Sequence, residues 1–256
     1  MGTSVTVTFY LGTHRPNWLS MEPGLMVSRR VLTGRRTFPQ APAPWILDSG
    51  GFTELSMNGA WGITPAAYAK EIVRYQEEIG NLEWAAPMDW MCEDFVLGKT
   101  GLTIEAHQNK TVANFLELRS LLGDTTVIPV LQGFSLDDYQ TCIQKYEDAG
   151  VNLSNEATVG LGSVCRRSQT GEAIGIVRSL SEEIGNRIHG FGLKGDTILA
   201  LKSTLKSSDS MAWSAAGRRD RLNGCTHKSC ANCLRYARRW RTTLNERLGQ
   251  EELCLA

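Results

Sequence analysis

Short apolar strands alternate with amphipathic helices along most of the chain, and this alternation constrains the fold more than any other feature. The strand candidates are 5–11, 25–32, 45–48, 84–88, 127–132, 158–161, 188–193 and 208–213, the last with the weakest pattern. The helix candidates are 65–79, 104–122, 136–149, 171–184, 196–205 and 230–248. Strands that alternate with helices pair in parallel through helical crossovers. Eight strands in 256 residues predict an α/β fold, a closed (β/α)8 TIM-like barrel.

A doubly wound open sheet is the alternative, but the sequence has no glycine-rich phosphate loop to support it. The sequence also shows no internal repeat, low-complexity tract or clear linker. We therefore expect residues 1–256 to form a single barrel domain, with a zinc-binding and basic helical part over 217–249. No apolar run approaches the roughly 20 residues that span a bilayer. We expect no membrane partner and a cytoplasmic location.

The ends of the predicted strands carry polar residues and glycines. Asp48, Asp89 and Asp209 each follow or close an apolar strand, and Gln132 and Gly160 end two others. In a barrel of this type, chemistry takes place at the C-terminal ends of the strands. Three carboxylates, one carboxamide and a glycine backbone would then converge on one mouth. That combination suits a base with both donors and acceptors on its edge, as guanine has.

The segment 47–52, Leu-Asp-Ser-Gly-Gly-Phe, is the most informative of these strand ends. Gly50 and Gly51 let the backbone turn sharply and approach a ligand, and Phe52 could cover a flat ring. The same letters are also ordinary turn chemistry, so the repetition of such ends favours the functional interpretation. Two carboxylates suit substitution at a sugar carbon, where one attacks and the other moves protons. His14 is a weaker candidate for the mouth than for a surface or capping role.

Three cysteines and one histidine within nine residues form the most specific local signal. They are Cys225, His227, Cys230 and Cys233. Three thiolates and an imidazole match closed tetrahedral zinc, and Cys-x-x-Cys is the usual knuckle spacing. Four protein ligands leave no open position for water, so we predict a small C-terminal zinc site with a structural role. The competing interpretation is a group of unrelated cysteines near the start of a helix.

The formal net charge is zero, but the charges are unevenly distributed. Residues 217–247 hold nine Lys/Arg and two acids, so this segment carries +7 and the remainder −7. A basic block on a mildly acidic body indicates a surface for a polyanion, although a solvated helix face is the competing interpretation. The expected nucleic-acid contacts are Arg218, Arg219, Arg221, Arg235, Arg238 and Arg239.

Taken together, these residues resemble the tRNA-guanine transglycosylase superfamily, an α/β barrel with an inserted zinc site. The resemblance covers residues 45–248, and the segment 47–52 resembles the most specific signature of the superfamily. Four further segments resemble its other strand ends: Val130-Leu-Gln-Gly133, Gly160-Leu161, His189-Gly-Phe-Gly-Leu-Lys194 and Ser208-Asp-Ser210.

Carried over by position, the resemblance implies that Asp209 is the nucleophile at C1′ of the sugar and Asp48 the general acid/base. A carboxylate, a carboxamide and a glycine backbone would read the edge of the base, and two phenylalanine rings would sandwich it. The implied substrate-binding residues are Ser49, Phe52, Asp89, Gln132, Gly160 and Phe191.

Two departures from the tRNA enzymes favour the branch that modifies DNA. The Pro-Thr-Arg segment that follows the nucleophile in bacterial tRNA enzymes is replaced by Ala-Trp-Ser-Ala at 212–215. The tRNA enzymes take their zinc-binding histidine from far downstream of the cysteines, whereas no histidine follows His227 here. The DNA-modifying, DpdA-like proteins are encoded by phages and bacterial modification islands and exchange guanine in DNA for a 7-deazaguanine. The resemblance therefore implies such an exchange, with a preQ0-like base, through a covalent aspartyl-glycosyl intermediate. It implies structural zinc and no ATP or redox cofactor.

Three other functions stay open from the sequence. A minimal tRNA-guanine transglycosylase would use the same residues on tRNA. A non-catalytic partner subunit could hold zinc and nucleic acid, although such partners tend to lose their catalytic acids, which this chain retains. A zinc-knuckle nucleic-acid binder on an unrelated α/β body is the third. Besides DNA and the incoming base, helper proteins or a second copy of the chain are candidate partners.

Overall fold

The computed structural model describes residues 7–123, 126–164 and 171–249. Within these ranges, eight β-strands form one sheet in the order β4-β3-β2-β1-β8-β7-β6-β5, and every neighbouring pair is parallel. The strands are β1 (Thr8–Thr13), β2 (Leu25–Ser28), β3 (Trp45–Asp48), β4 (Leu82–Ala85), β5 (Val130–Leu131), β6 (Val159–Leu161), β7 (Ile188–Gly190) and β8 (Ser207–Ser210). The predicted α/β class is confirmed.

Helices lie between most of the strands. They are α1 (Arg29–Leu32), α2 (Gly51–Thr53), α3 (Pro65–Glu78), α4 (Asp94–Thr100), α5 (Ile104–Leu122), α6 (Leu136–Asp148), α7 (Gly171–Ile184), α8 (Gly195–Ala200), α9 (Ala212–Arg219) and α10 (Leu234–Leu248). Short 3-10 turns at Pro16–Ser20 and Leu153–Asn155 and a π turn at Glu54–Asn58 complete the helical structure of the described ranges. None of the described helices is both long and apolar enough to cross a membrane.

The longer helices begin where a side chain accepts hydrogen bonds from the first turn. Thr64 caps α3, and Thr103 caps α5 by accepting from a backbone N–H two residues into the helix. Ser135 and Asp138 form a reciprocal capping box at the start of α6. These caps satisfy N–H groups that have no partner inside the helix. The observed starts of these three helices therefore match the predicted ones.

The two faces of the sheet enter different hydrophobic clusters. Phe9 and Leu11 of β1 pack in the main core, between the strands and the helices. Tyr10, which lies between them in the sequence, packs with Ile46 and Trp84 in a second cluster on the inner face of the curled sheet. Successive residues of a strand point to opposite faces, so this separation follows from strand geometry. The residues two positions after Tyr10, Ile46 and Trp84 lie on the same inner face, at the C-terminal edge of the sheet.

The two edge strands of the curled sheet approach each other at one point. Ala85 forms a single parallel bridge with Val127. The Ala85 N–H donates to the carbonyl of Thr126 at 2.8 Å, and the Ile128 N–H donates to the carbonyl of Ala85 at 3.2 Å. We call this junction, residues 85 and 126–128, the seam. The described strands thus form a curled half-barrel, and the single bridge at the seam is the one backbone pairing between its two edges. The fully closed barrel that the sequence predicts is not formed by these strands.

Several predicted boundaries are wrong. The predicted strand 25–32 ends at Ser28 and continues as α1, and the predicted strand 208–213 is β8 followed by α9. Short apolar runs pack equally well as strand or as buried helix, so the pattern does not separate the two. The predicted strands 84–88 and 188–193 end at Ala85 and Gly190. Residues 5–6 of the first predicted strand lie outside the described ranges.

Two predicted helices also have different limits. The predicted helix 196–205 ends at Ala200, and residues 201–204 form a turn. The predicted helix 230–248 begins at Leu234, because Cys230 and Cys233 belong to a tight turn in which the Cys233 N–H donates to the Cys230 carbonyl at 3.1 Å. A Cys-x-x-Cys pair that ligates one metal ion needs such a tight turn. Because of this turn, the helix begins four residues later than predicted.

Candidate functional site

A cavity of about 470 Å³ lies at the C-terminal edge of the sheet, and three carboxylates line it. Asp48 is the last residue of β3, Asp209 lies in β8, and Asp89 lies in the loop after β4. The C-terminal ends of parallel strands meet at one edge of the sheet, which is why residues so distant in sequence share this wall. The structure therefore brings together the three acids that the sequence singles out.

The turn after β3 lets Asp48 and Asp89 approach each other. Gly50 has φ +83°, a left-handed conformation that favours glycine, and α2 begins at the next residue. A Cβ atom on Gly51 would lie 3.2 Å from the Asp89 Oδ1 atom. The buried Ser49 hydroxyl donates to the same oxygen at 3.4 Å. Ser49 therefore contacts a neighbouring acid in this structure and holds it in place.

Asp48 carries a carboxyl group whose proton affinity is increased by its surroundings. Burial raises the pKa of Asp48, the hydrogen bonds from Ser28 and from the Gly50 backbone lower it, and the negative charge of Asp209 raises it. His14 also lowers this pKa, and it lines the cavity. His14 thus lies at the mouth of the cavity, whereas the sequence favours a surface or capping role for it. A carboxyl group with a raised pKa suits a proton donor and acceptor.

Asp89 is held by a chain of two side chains, Gln132 and Ser163. The sequence predicts Gln132 as a site residue and does not predict Ser163. Gln132 Nε2 donates to Asp89 Oδ2 at 2.5 Å, and the Ser163 hydroxyl donates to Gln132 Oε1 at 2.6 Å. Gln132 is fully buried and lies behind Asp89, whereas Ser163 lines the cavity. Burial raises the pKa of Asp89 to about 7, nearby Asp48 adds to the increase, and the hydrogen bonds from Gln132 and Ser49 oppose it.

The raised pKa of Asp89 predicts a dependence of stability on pH. The pKa is 3.8 for an ordinary aspartate and about 7 here, so between these values the folded state holds a proton that the unfolded state has released. The free energy of unfolding should therefore fall as the pH rises from about 4 to about 7. Asp89→Asn should make this fall shallower, and urea unfolding across the pH range measures it. Equal slopes for wild type, Asp89→Asn and the exposed control Asp137→Asn would contradict the prediction.

The glycines after β6 make room for neighbouring side chains. A Cβ on Gly160 would lie 2.6 Å from the Phe191 ring, and a Cβ on Gly162 would lie 2.2 Å from Gln132 Nε2. Gly162 lines the cavity, and Gly160 lies below it against Phe191. Among the described glycines of this strand end, it is therefore Gly162 that a ligand meets first.

Two phenylalanine rings lie on the cavity wall, as the sequence predicts. Phe52 is 43% exposed, and its ring centroid lies 5.9 Å from that of Phe95. Phe191 is half-buried, and its ring meets Trp84 edge-on at a centroid distance of 6.3 Å. One ring is therefore open to solvent and the other is fixed by the inner cluster of the sheet. Planar ligands stack on such faces.

Asp209 is nearly buried, and one of its oxygens is anchored. The Gly192 N–H donates to Asp209 Oδ1 at 2.9 Å, and His189 Nε2 lies 3.4 Å from the same oxygen. The His189 ring is fully buried, and its Nδ1 lies 2.9 Å from the Ser207 hydroxyl. Sequence reasoning missed His189 as a neighbour of Asp209. The usable signal is its alternation with Phe191, which places both side chains on the inner face.

The predicted metal ligands form a compact cluster. The ligand atoms of Cys225, His227, Cys230 and Cys233 all lie within 4.8 Å of one another. The Cys225 and Cys233 sulfurs are 3.9 Å apart, and His227 Nε2 lies 3.1 Å from the Cys230 sulfur. Three thiolates and one imidazole at this spacing fit a tetrahedral ion with metal–ligand distances of about 2.0–2.3 Å. The cluster could therefore hold a metal such as zinc.

The cysteine cluster is attached to the helix that follows Asp209. The Cys230 N–H donates to the carbonyl of Gly217 in α9 at 2.8 Å, and the Ser214 hydroxyl donates to the Ala231 carbonyl at 2.8 Å. A Cβ on Gly217 would lie 2.7 Å from the Cys230 carbonyl oxygen, so the two backbones are in contact. The cluster therefore supports α9, whose first residue lies three positions after Asp209 in the sequence.

The six arginines predicted to contact nucleic acid are all exposed. Arg238 differs from the others, because its guanidinium pairs with the buried Glu22 at 2.5 Å. The same carboxylate pairs at 2.6 Å with Arg241, which is itself buried. Part of the basic segment therefore fixes α10 to the chain before β2.

A second cavity, of about 390 Å³, lies on the basic segment beside the cysteine cluster. Tyr236 and Trp240 supply aromatic surface, and Arg221 and Arg239 supply positive charge. Neither arginine has an ion pair with a carboxylate in the described part of the chain. Aromatic rings beside free guanidinium groups are typical of surfaces that bind nucleic-acid strands.

A parallel α/β sheet, clustered acids at its C-terminal edge and an adjacent Cys3His cluster are the features by which the sequence resembles the transglycosylases. Residues 5–251 match the family model DpdA, described as DeoxyPurine in DNA protein A. The match covers nearly the whole chain, and the chain belongs to the DpdA family. Membership implies a DNA-modifying enzyme of the transglycosylase type, which confirms the resemblance seen in the sequence. No curated protein matches the chain significantly.

Proposed function

We propose that this protein exchanges guanine in DNA for a 7-deazaguanine of the preQ0 type through a covalent intermediate on Asp209. The observation that carries the proposal is the shared cavity of Asp48, Asp89 and Asp209 in a chain of the DpdA family. Retention of all three acids disfavours a non-catalytic subunit. The bridge at the seam supports a closed (β/α)8 barrel as the active form. Ala237 and Leu244 of α10 pack in the main core, which supports 217–249 as part of the same unit.

In the proposed reaction, an oxygen of Asp209 attacks C1′ of the target nucleotide. The bond from C1′ to the ring nitrogen of guanine breaks, guanine leaves with the electron pair, and a glycosyl ester remains on Asp209. Asp48 gives a proton to the departing base. As a carboxylate, Asp48 then takes the proton from the ring nitrogen of the incoming deazaguanine, which attacks C1′ and releases Asp209. The raised pKa of Asp48 suits both transfers.

Base recognition in this proposal depends on Asp89 and the two phenylalanine rings. Asp89 accepts from the N–H groups on the edge of the base, and Gln132 and Ser49 hold it in the required orientation. Phe52 and Phe191 cover the two faces of the ring. Gly160 contributes by leaving space for Phe191, and the Gly162 backbone borders the base. This arrangement selects a planar base that carries donors on one edge.

The Cys3His cluster has a structural role in the proposal. Zinc bound to Cys225, His227, Cys230 and Cys233 would have no free coordination position, so it would hold the turn together and contribute no chemistry. This cysteine turn also supports α9, through the hydrogen bond from the Cys230 N–H to the Gly217 carbonyl. Metal binding would therefore stabilise the segment that follows Asp209.

DNA contacts in the proposal come from the exposed arginines of the basic segment. The target nucleotide leaves the base stack to reach the cavity, at a cost of a few kcal/mol. The second cavity, with Arg221, Arg239, Tyr236 and Trp240, offers charge and aromatic surface to the strand beside it. Phosphate contacts of this kind release counterions, so binding should weaken as the salt concentration rises.

Base exchange with an isotopically labelled base tests the proposed function directly. The purified protein is incubated with labelled preQ0 and either DNA or tRNA, and the nucleosides are identified by mass spectrometry after digestion. We expect the label in DNA alone. Label in tRNA alone would replace the DNA substrate by tRNA. Absence of label from both, with DNA still bound, would contradict the catalytic proposal and favour a binding subunit.

The two arginines of the second cavity should contribute separately to DNA affinity. Arg221→Gln and Arg239→Gln should each lower the salt dependence of binding by about one unit in the slope of log K against log salt concentration. Fluorescence anisotropy with a labelled oligonucleotide measures the slope. Lys70→Gln removes an exposed charge from α3 and serves as the matched control, with an unchanged slope. Unchanged slopes for both arginine variants would remove the second cavity from the DNA surface.

A further inference from the structure

We infer that His189 is a positioning residue for Asp209 and that Asp209 Oδ2 is the oxygen that attacks C1′. The assignment of the attacking oxygen rests on the proposed function, whereas the contact between His189 and Asp209 is a property of the structure. His189 has no part in the chemistry described so far. It is nevertheless a fully buried, titratable side chain 3.4 Å from the carboxylate that the proposal makes the nucleophile.

The two oxygens of Asp209 have different surroundings. Oδ1 accepts the Gly192 N–H at 2.9 Å and faces His189 Nε2 at 3.4 Å. Oδ2 has no hydrogen bond or ion pair within the described ranges. Asp209 lines the cavity although only 7% of it is exposed. The anchored oxygen is thus held toward the protein, and the oxygen without a partner is free to attack a sugar carbon in the cavity.

The other nitrogen of the His189 ring contacts a hydroxyl that is able to donate or to accept, so the charge of Asp209 selects the tautomer. His189 Nδ1 lies 2.9 Å from the Ser207 hydroxyl, and Nε2 is buried with no hydrogen-bond partner in the described part of the chain. When the Ser207 hydroxyl donates to Nδ1, the ring proton lies on Nε2, the nitrogen that approaches Oδ1 to 3.4 Å without a hydrogen bond in this structure. The opposite tautomer would direct a lone pair at a carboxylate, which is repulsive.

Aromatic neighbours fix the plane of the His189 ring. Its centroid lies 4.7 Å from that of Phe191 and 4.8 Å from that of Trp84, at interplanar angles of 71° and 74°. Tyr10 packs against it at 6.1 Å. The register of the sheet pairs His189 with Ser207, so Ser207 and Asp209 lie on the same face of β8 as the imidazole. One ring thereby connects the nucleophile with Phe191, which covers the base.

The positioning role is tested with two variants of similar size. His189→Gln keeps an N–H donor close to the position of Nε2, and His189→Leu removes it. We expect His189→Leu to lower kcat for base exchange by about 100-fold, with KM for DNA and for preQ0 changed by less than about twofold, because misplacement of a reacting group affects the chemical step. His189→Gln should recover most of the loss. Equal losses in both variants, or a loss confined to KM, would overturn the inference.

A measurement on the ground state is independent of activity. Long-range ¹H–¹⁵N spectra of the imidazole groups report the tautomer, and His189→Gln identifies the His189 signals by their disappearance. We expect the Nε2–H tautomer in the wild type and a shifted Nε2–H signal in Asp209→Asn. The Nδ1–H tautomer, or a signal that Asp209→Asn leaves unmoved, would overturn the inference. Wild-type protein that shows the expected signals but exchanges no base would contradict the proposed function alone.

Discussion

Asp209→Asn is expected to abolish base exchange, with a loss of about 10⁴-fold or more in kcat. An amide oxygen is a poor nucleophile and cannot form the glycosyl ester, whereas the variant keeps the size of the side chain and an oxygen for the Gly192 N–H. DNA binding should change little, because the carboxylate is nearly buried and none of the six predicted DNA-contacting arginines lines its cavity. The measurement is single-turnover exchange together with detection of a covalent protein–DNA adduct in the absence of an incoming base.

Two comparisons make the Asp209 result specific. Asp196→Asn removes an exposed carboxylate that pairs with Arg247, and it should leave both exchange and adduct at the wild-type level. Asp48→Asn should lower exchange through the loss of proton transfer. An adduct that persists in Asp209→Asn and disappears in Asp48→Asn would reverse the roles that we assign to the two acids.

The second large effect is expected from Cys230→Ser, which should release the metal and lower the free energy of unfolding by more than about 4 kcal/mol. Cys230 is the most buried member of the cluster, its sulfur accepts the Leu222 N–H at 3.3 Å, and its own N–H holds Gly217. A hydroxyl is shorter and binds zinc more weakly than a thiolate. Elemental analysis of the purified protein and denaturant unfolding measure the two effects.

The control for Cys230→Ser is Cys142→Ala. Cys142 is equally buried, in α6, and does not belong to the cluster. Its replacement should keep the metal and cost about 1 kcal/mol through the lost packing. Metal retained by Cys230→Ser at the wild-type stoichiometry would contradict the assignment of this cysteine as a ligand.

Local signals in the sequence account for much of the fold. The observed bounds of β3 and α5 match their predicted limits, because a polar residue or a cap marks each boundary: Asp48 ends the strand, and Thr103 and Gly123 flank the helix. Boundaries at 25–32 and 208–213 fail for the opposite reason. Apolar residues recur beyond the end of each strand, Val31-Leu32 after β2 and Met211-Ala-Trp213 after β8, and contacts with distant elements decide where the strand becomes a helix.

The convergence of the three acids on one cavity was predictable, because each lies at or shortly after a strand. Residues whose roles depend on neighbouring strands were not. His189 faces Asp209 only because β7 and β8 pair in the register that sets His189 opposite Ser207. Gln132 lies behind Asp89 because the edge strands meet, and nothing in the local sequence describes that meeting. Pairing register and curvature are non-local, so they have no signature in a short segment.

The seam gives the hydrogen bond between Gln132 and Asp89 a second significance. Asp89 follows one edge strand and Gln132 follows the other, so this 2.5 Å bond spans the gap where the backbone supplies a single bridge. Local opening of a sheet is easiest where the fewest backbone bonds must break. Asp89, which we propose reads the base, and Gln132, which holds it, thus also link the two edges of the sheet. A ligand that strengthens this hydrogen bond makes local opening of the sheet less frequent. By reciprocity, a sheet that opens less often binds that ligand more tightly.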